Sequence, residues 1–105
     1  MKLPDKIVAQ NDVDIAFSIT DSSGRSITNL EPLMAAGGHS VIISSDLKEF
    51  LHVHPTEGVS SDGWRGGPDI FFKTNFPKPG LYKAWGQFQH QGILITTAGF
   101  ILKAT

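Results

Sequence analysis

The stretch HSVIISSDLKEFLHVHP, residues 39–55, decides the fold. Residues 39–44 and 50–54 are rich in β-branched and aromatic side chains, which favour strands. The polar residues 45–49 separate the two segments, and Pro55 ends the second because proline cannot donate to a strand ladder. The sequence therefore predicts a β-hairpin here.

The spacing of three histidines makes this hairpin a candidate metal site. His52 and His54 are two residues apart, and such side chains leave the same face of a strand. If opposite residues have numbers that add up to about 93, His39 lies opposite His54. A shift by two residues keeps His39 close to the pair, whereas a shift by one sends it to the other face.

Neutral imidazole is the commonest protein metal ligand. Three imidazoles with an open fourth position would suit Zn²⁺, Cu²⁺ or Ni²⁺. The chain has no cysteine, which excludes disulfides and thiolate sites. Met34 could add a thioether that favours Cu⁺, although a core or loop position suits it as well. The alternative to a metal site is a set of surface histidines that bond to the backbone.

The rest of the chain predicts further strands. Apolar and polar residues alternate in several segments, and a single helical turn could begin at Asn29–Pro32. The predicted strands cover residues 13–19, 70–76, 81–89 and 93–103, the last with a bulge at Gly99. Six or seven strands with turns at intervals of roughly 8–12 residues predict one all-β domain over 1–105. The expected architecture is an antiparallel Greek-key β-sandwich with its core in about 13–103.

The segment Pro79-Gly80-Leu81-Tyr82 resembles the tyrosine corner of Ig-like sandwiches. A tyrosine just inside a strand, after a corner that contains glycine, fixes which residues face the core. The predicted inward residues are Tyr82, Ala84, Gly86 and Phe88, and the outward ones are Lys83, Trp85, Gln87 and Gln89.

Composition limits the partners. The 105 residues are 40% hydrophobic and carry a formal net charge of −1. The absence of a basic block argues against nucleic acid, and no apolar run approaches the roughly 18 residues of a membrane span. Met1–Asp5 lacks the apolar run of a signal peptide, although a domain excised from a longer precursor would lack its leader too.

Other functions stay open. Glu49 and Glu57 flank the histidine strand and could serve as a general base beside a metal-bound water, as in a metal-dependent hydrolytic enzyme. A module without metal could instead dock another protein through the Trp64 loop or a sheet edge, unless Trp64 folds back on the sandwich rim. His90 could approach the cluster, but a solvated turn position suits it better. Exposed strand edges permit a symmetric homodimer.

Three segments in this order resemble a bacterial domain family, Ig-like or cupredoxin-like, of secreted or membrane-anchored proteins that are associated with heavy-metal handling. They are NLEPLMAAGGH at 29–39, FLHVHP at 50–55 and FPKPGLYKAW at 76–85. The family pattern has a Gly-His, then a His-x-His-Pro, then a Pro-Gly-x-Tyr-x-x-Trp corner, and the match covers about residues 13–103.

The resemblance implies a metal-related role in the periplasm or outside the cell. His39, His52 and His54 occupy its histidine positions, whereas His90 has no counterpart. Together with the hairpin, this predicts binding of copper, or else zinc, for storage, delivery or sensing. A protein that receives or donates the metal is the implied partner.

Overall fold

Seven β-strands make up the ordered framework of the computed structural model, which describes residues 1–105. The strands are β1 (Asp12–Ser18), β2 (His39–Ser44), β3 (Phe50–Val53), β4 (Asp69–Asn75), β5 (Gly80–His90), β6 (Ile93–Thr96) and β7 (Phe100–Ala104). The structure contains no helix that is long and apolar enough to span a membrane.

The strands form two antiparallel sheets. β1 pairs with β4 in one sheet, and the other has the order β3-β2-β5-β6, with β7 pairing with the first half of β5. β2 and β5 lie at the centre of this larger sheet, so the β2–β3 hairpin sits on a well-supported edge. The prediction of an all-β sandwich of about seven strands is confirmed.

Aromatic side chains fill the space between the sheets. Phe17 of β1 packs edge-on against Phe72 of β4 at 5.7 Å and against Phe88 of β5 at 5.8 Å between ring centroids. All three are almost fully buried, and edge-to-face packing at this separation is favourable. The inward and outward positions predicted for β5 are confirmed, because Tyr82, Ala84, Gly86 and Phe88 are buried and the residues between them are not.

The tyrosine corner is present. The Tyr82 hydroxyl donates to the Lys78 carbonyl at 2.7 Å and accepts from the Lys78 N–H at 3.3 Å. Because Tyr82 is buried, these bonds satisfy polar groups that water reaches poorly. The corner fixes which face of β5 points inward, and therefore which face is shared with the histidines.

Two predicted segments differ from the structure. Residues 93–103 form two strands, β6 and β7. At the end of β6 the Thr97 N–H still donates to the Gly86 carbonyl, but the Thr97 hydroxyl, in place of its carbonyl, accepts from the Gly86 N–H. The helical turn predicted at Asn29–Pro32 is wrong. Leu30 is fully buried and its backbone pairs in both directions with Gly66, so pairing with the long loop outweighs the local proline signal.

Candidate metal site

The pairing of β2 with β3 brings the three histidines together. Ser40 lies opposite Val53 and Val41 opposite His52, so the register is the one in which opposite residue numbers add up to 93. His54 follows β3 directly and continues this ladder to the position opposite His39. The three side chains therefore share the outer face of the five-stranded sheet.

The imidazole rings are in mutual contact. Their centroids are 5.7 Å apart for His39 and His52, 5.3 Å for His39 and His54, and 4.9 Å for His52 and His54. One nitrogen from each ring can be chosen so that all three lie within 4.8 Å of one another. His39 is buried, whereas His52 and His54 are exposed, so the cluster has one fixed and two accessible members.

A backbone carbonyl selects the tautomer of the neutral His39 ring. Its Nε2 lies 2.8 Å from the Leu33 carbonyl oxygen, and a carbonyl only accepts hydrogen bonds, so Nε2 carries the hydrogen. In the neutral ring the lone pair then resides on Nδ1. This atom is buried and has no hydrogen-bond partner. An unsatisfied buried acceptor costs about 1–3 kcal/mol, and a metal ion at Nδ1 would satisfy it.

The Leu33 carbonyl is held in place by a tight turn. The Leu33 N–H donates to Ala36 at 2.7 Å and the Ala36 N–H donates back at 3.1 Å. Met34 and Ala35 between them have φ of 50° and 64°, as a type I′ turn requires. Because neither is glycine or asparagine, the turn stores backbone strain directly beside the site.

Two glycines just before β2 allow the backbone there to pack closely against neighbouring side chains. A Cβ on Gly37 would lie 2.9 Å from the Trp64 ring, and a Cβ on Gly38 would lie 2.6 Å from Cδ1 of Phe88. Trp64 therefore folds back on the sandwich rim, which was one of its two predicted placements. These contacts hold the backbone that carries His39 against both the core and the long loop.

The separations suit a first-row metal ion. Three nitrogens bound at 2.0–2.1 Å around a tetrahedral ion lie about 3.4 Å apart. The most distant pair therefore needs to approach by at most about 1.4 Å from its present limit of 4.8 Å. Rotation of the exposed His52 and His54 side chains can supply that movement while His39 stays in place. The donor set therefore fits a metal ion.

The other candidate residues lie outside the cluster. His90 is held by the Asn29 side chain at 2.9 Å. Glu49 pairs with Lys78 at 3.3 Å, and Glu57 lines a small cleft beside Trp64. Neither carboxylate belongs to the three-histidine group.

Two contributors to the site were not predicted. The Leu33 carbonyl gives no sequence signal, because any residue has one and only the turn aims it at His39. Gln87 lies opposite His39 on β5 and is half-buried on the same outer face. Its outward direction was predicted from the tyrosine corner, but its place beside His39 needed the pairing of β2 with β5.

The fold and site define a β-sandwich with a three-histidine cluster on one sheet face. The model of a family described as domain of unknown function DUF8832 matches residues 1–105, and the chain belongs to that family. No curated protein matches the chain. No solved structure matches it either.

Proposed function

We propose that this protein binds a transition-metal ion, copper first and zinc second, through His39, His52 and His54. The observation that carries the proposal is the buried Nδ1 of His39, which has no hydrogen-bond partner, in a ring that contacts two further imidazoles. Its Nε2–H bond to a carbonyl is the usual outer partner of a metal-bound histidine, because it fixes the ring and its tautomer.

Donor chemistry supports the order of metals. Imidazole nitrogens bind Cu²⁺ more tightly than the other divalent first-row ions, and they also suit Zn²⁺. No thiolate or carboxylate competes for the cluster. A copper ion would find three nitrogens and one position left for water or for a ligand from a partner.

The exposure of the cluster favours exchange over permanent structure. A structural metal site is usually closed by four protein ligands, whereas this cluster offers three and two of them are exposed. Storage, delivery to a partner or sensing suits such a site. The resemblance to secreted, metal-associated domains supports a location outside the cytoplasm. The same resemblance suggests a partner protein that donates or receives the metal ion.

The test is titration of the chelator-treated protein with Cu²⁺ and with Zn²⁺. We expect one ion per chain, and His52→Ala or His54→Ala should weaken binding by more than the roughly 10–100-fold that the loss of an outer partner costs. His90→Ala is the matched control, because His90 bonds to Asn29 away from the cluster. Equal uptake by all three variants would rule out the site.

A module without metal that docks a partner is the competing function. The observation that favours it is the set of apolar side chains exposed elsewhere on the same sheet face.

A further inference from the structure

The end of the outer sheet face away from the histidines is apolar and exposed. One row of this face crosses β3, β2, β5 and β7, and its residues in that order are Phe50, Ile43, Lys83 and Ile101. Phe50 is 66% exposed and Ile101 64%, while Leu47 in the β2–β3 connection is 81% exposed. A contiguous group of large exposed apolar side chains marks an interaction surface.

An open groove of about 320 Å³ lies beside Phe50, between Leu47, Ile43 and Ile101. Its apolar lining is Ile43, Leu47, Leu81, Tyr82, Trp85 and Ile101. Lys83 is the one charged residue in the lining, and its Nζ lies 5.3 Å from the centre of the Trp85 ring. Lys103 lies opposite Leu81 on the same face, so lysine and apolar residues alternate diagonally over β5 and β7.

Two lysines on this face lack a carboxylate partner, although the whole chain has a net charge of −1. Lys83 and Lys103 take part in none of the ion pairs of the protein. The nearby carboxylates Asp46 and Glu49 are both held by Lys78, at 3.4 and 3.3 Å. Lys83 in the groove and Lys103 beside it are therefore ammonium groups without a carboxylate partner, next to exposed apolar side chains.

We propose that this face docks on an anionic lipid bilayer, with Leu47, Phe50 and Ile101 entering the interface and Lys83 and Lys103 on the lipid phosphates. Exposed apolar side chains gain from leaving water at the acyl boundary. Lysine stems can lie along that apolar surface while their ammonium groups reach the headgroups. Unpaired lysines gain further from the negative surface potential.

The test is co-sedimentation of the full chain, in chelator, with vesicles of phosphatidylcholine alone or mixed with phosphatidylglycerol. We expect binding to the mixed vesicles that weakens with salt, and little binding to the neutral ones. The double variant Lys83→Gln, Lys103→Gln should weaken binding to the mixed vesicles by about fivefold for each lysine removed. Leu47→Ser with Ile101→Ser should weaken it by more than about tenfold.

Two substitutions outside the groove are the controls. Leu94→Ser removes a side chain that is 56% exposed on β6, and Lys73→Gln removes a lysine of the other sheet; both should bind as the wild type does. Equal binding to neutral and anionic vesicles, or binding that the groove variants retain, would overturn the proposal. So would a dimer, seen by light scattering, that Leu47→Ser with Ile101→Ser abolishes. Chelator keeps these results independent of the proposed metal site.

Discussion

Gly38→Ala tests how closely the entry to the histidine site is packed. A Cβ at residue 38 would lie 2.6 Å from Cδ1 of Phe88 and 3.1 Å from the Gln87 carbonyl oxygen. Phe88 is fully buried and packs on Phe17 at 5.8 Å, so its ring cannot swing into solvent. The added methyl must displace either the ring or the strand that carries His39.

Overpacking of this kind costs about 1–3 kcal/mol. For a chain of about this size, each kcal/mol lowers the melting temperature by about 4–8 °C. We therefore expect Gly38→Ala to melt roughly 5–20 °C below the wild type in a thermal scan followed by circular dichroism. Its metal affinity should fall as well, because the Nδ1 position of His39 depends on the same backbone.

Gly58→Ala is the matched control. A Cβ at residue 58 would meet nothing within 4 Å, and neither Gly58 nor Gly38 needs a left-handed φ. Alanine there should be neutral or stabilise by about 0.4–1 kcal/mol through the unfolded chain. If Gly38→Ala melts within a degree or two of Gly58→Ala, the close contact between Phe88 and the start of β2 is wrong.

Three further predictions follow from local contacts. Tyr82→Phe removes both hydrogen bonds to Lys78 and should lower the free energy of unfolding by about 1–3 kcal/mol in urea titration; no loss would contradict the corner. Met34→Asn with Ala35→Gly supplies the residues that a type I′ turn prefers, and it should raise the melting temperature by relieving about 1–2 kcal/mol of strain; a lower melting temperature would refute that strain. The pKa of Asp46 is lowered from 3.8 to about 2. The largest cause is the hydrogen bond from the Ser44 hydroxyl, followed by the Lys48 N–H and by Lys78. The ionised carboxylate therefore stabilises the fold above pH 3.8, and the benefit is lost as the pH falls through about 2. Asp46→Asn should be less stable than the wild type at pH 7, with the gap closing toward pH 2, and a constant gap would contradict the assignment.

The parts of the fold that could be predicted are those with a strong period of two. In β1, β4 and β5 the alternation set both the strands and their faces, and the tyrosine corner fixed the inward side of β5. The β2–β3 hairpin was predicted, but its register was left open: the observed pairing is the one named first among the alternatives, and a shift by one residue would have sent His39 to the other face.

The failures have physical causes that lie in distant contacts. Leu30 sits in a stretch whose proline suggests a helical turn, but its burial and its pairing with Gly66 decide otherwise. For the same reason, the Leu33 carbonyl could not be predicted as the partner of His39. A strained turn of two ordinary residues gives no sequence signal, and only the folded chain shows where its carbonyl points.

Nitrogen-resolved NMR of the histidine rings tests the central claim most directly. In the metal-free protein His39 should carry its hydrogen on Nε2, and added Zn²⁺ should shift the Nδ1 resonance of His39 together with one ring nitrogen each of His52 and His54. His90 should not respond. A hydrogen on Nδ1 of His39, or a His39 spectrum that stays unchanged with excess Zn²⁺, would contradict the account.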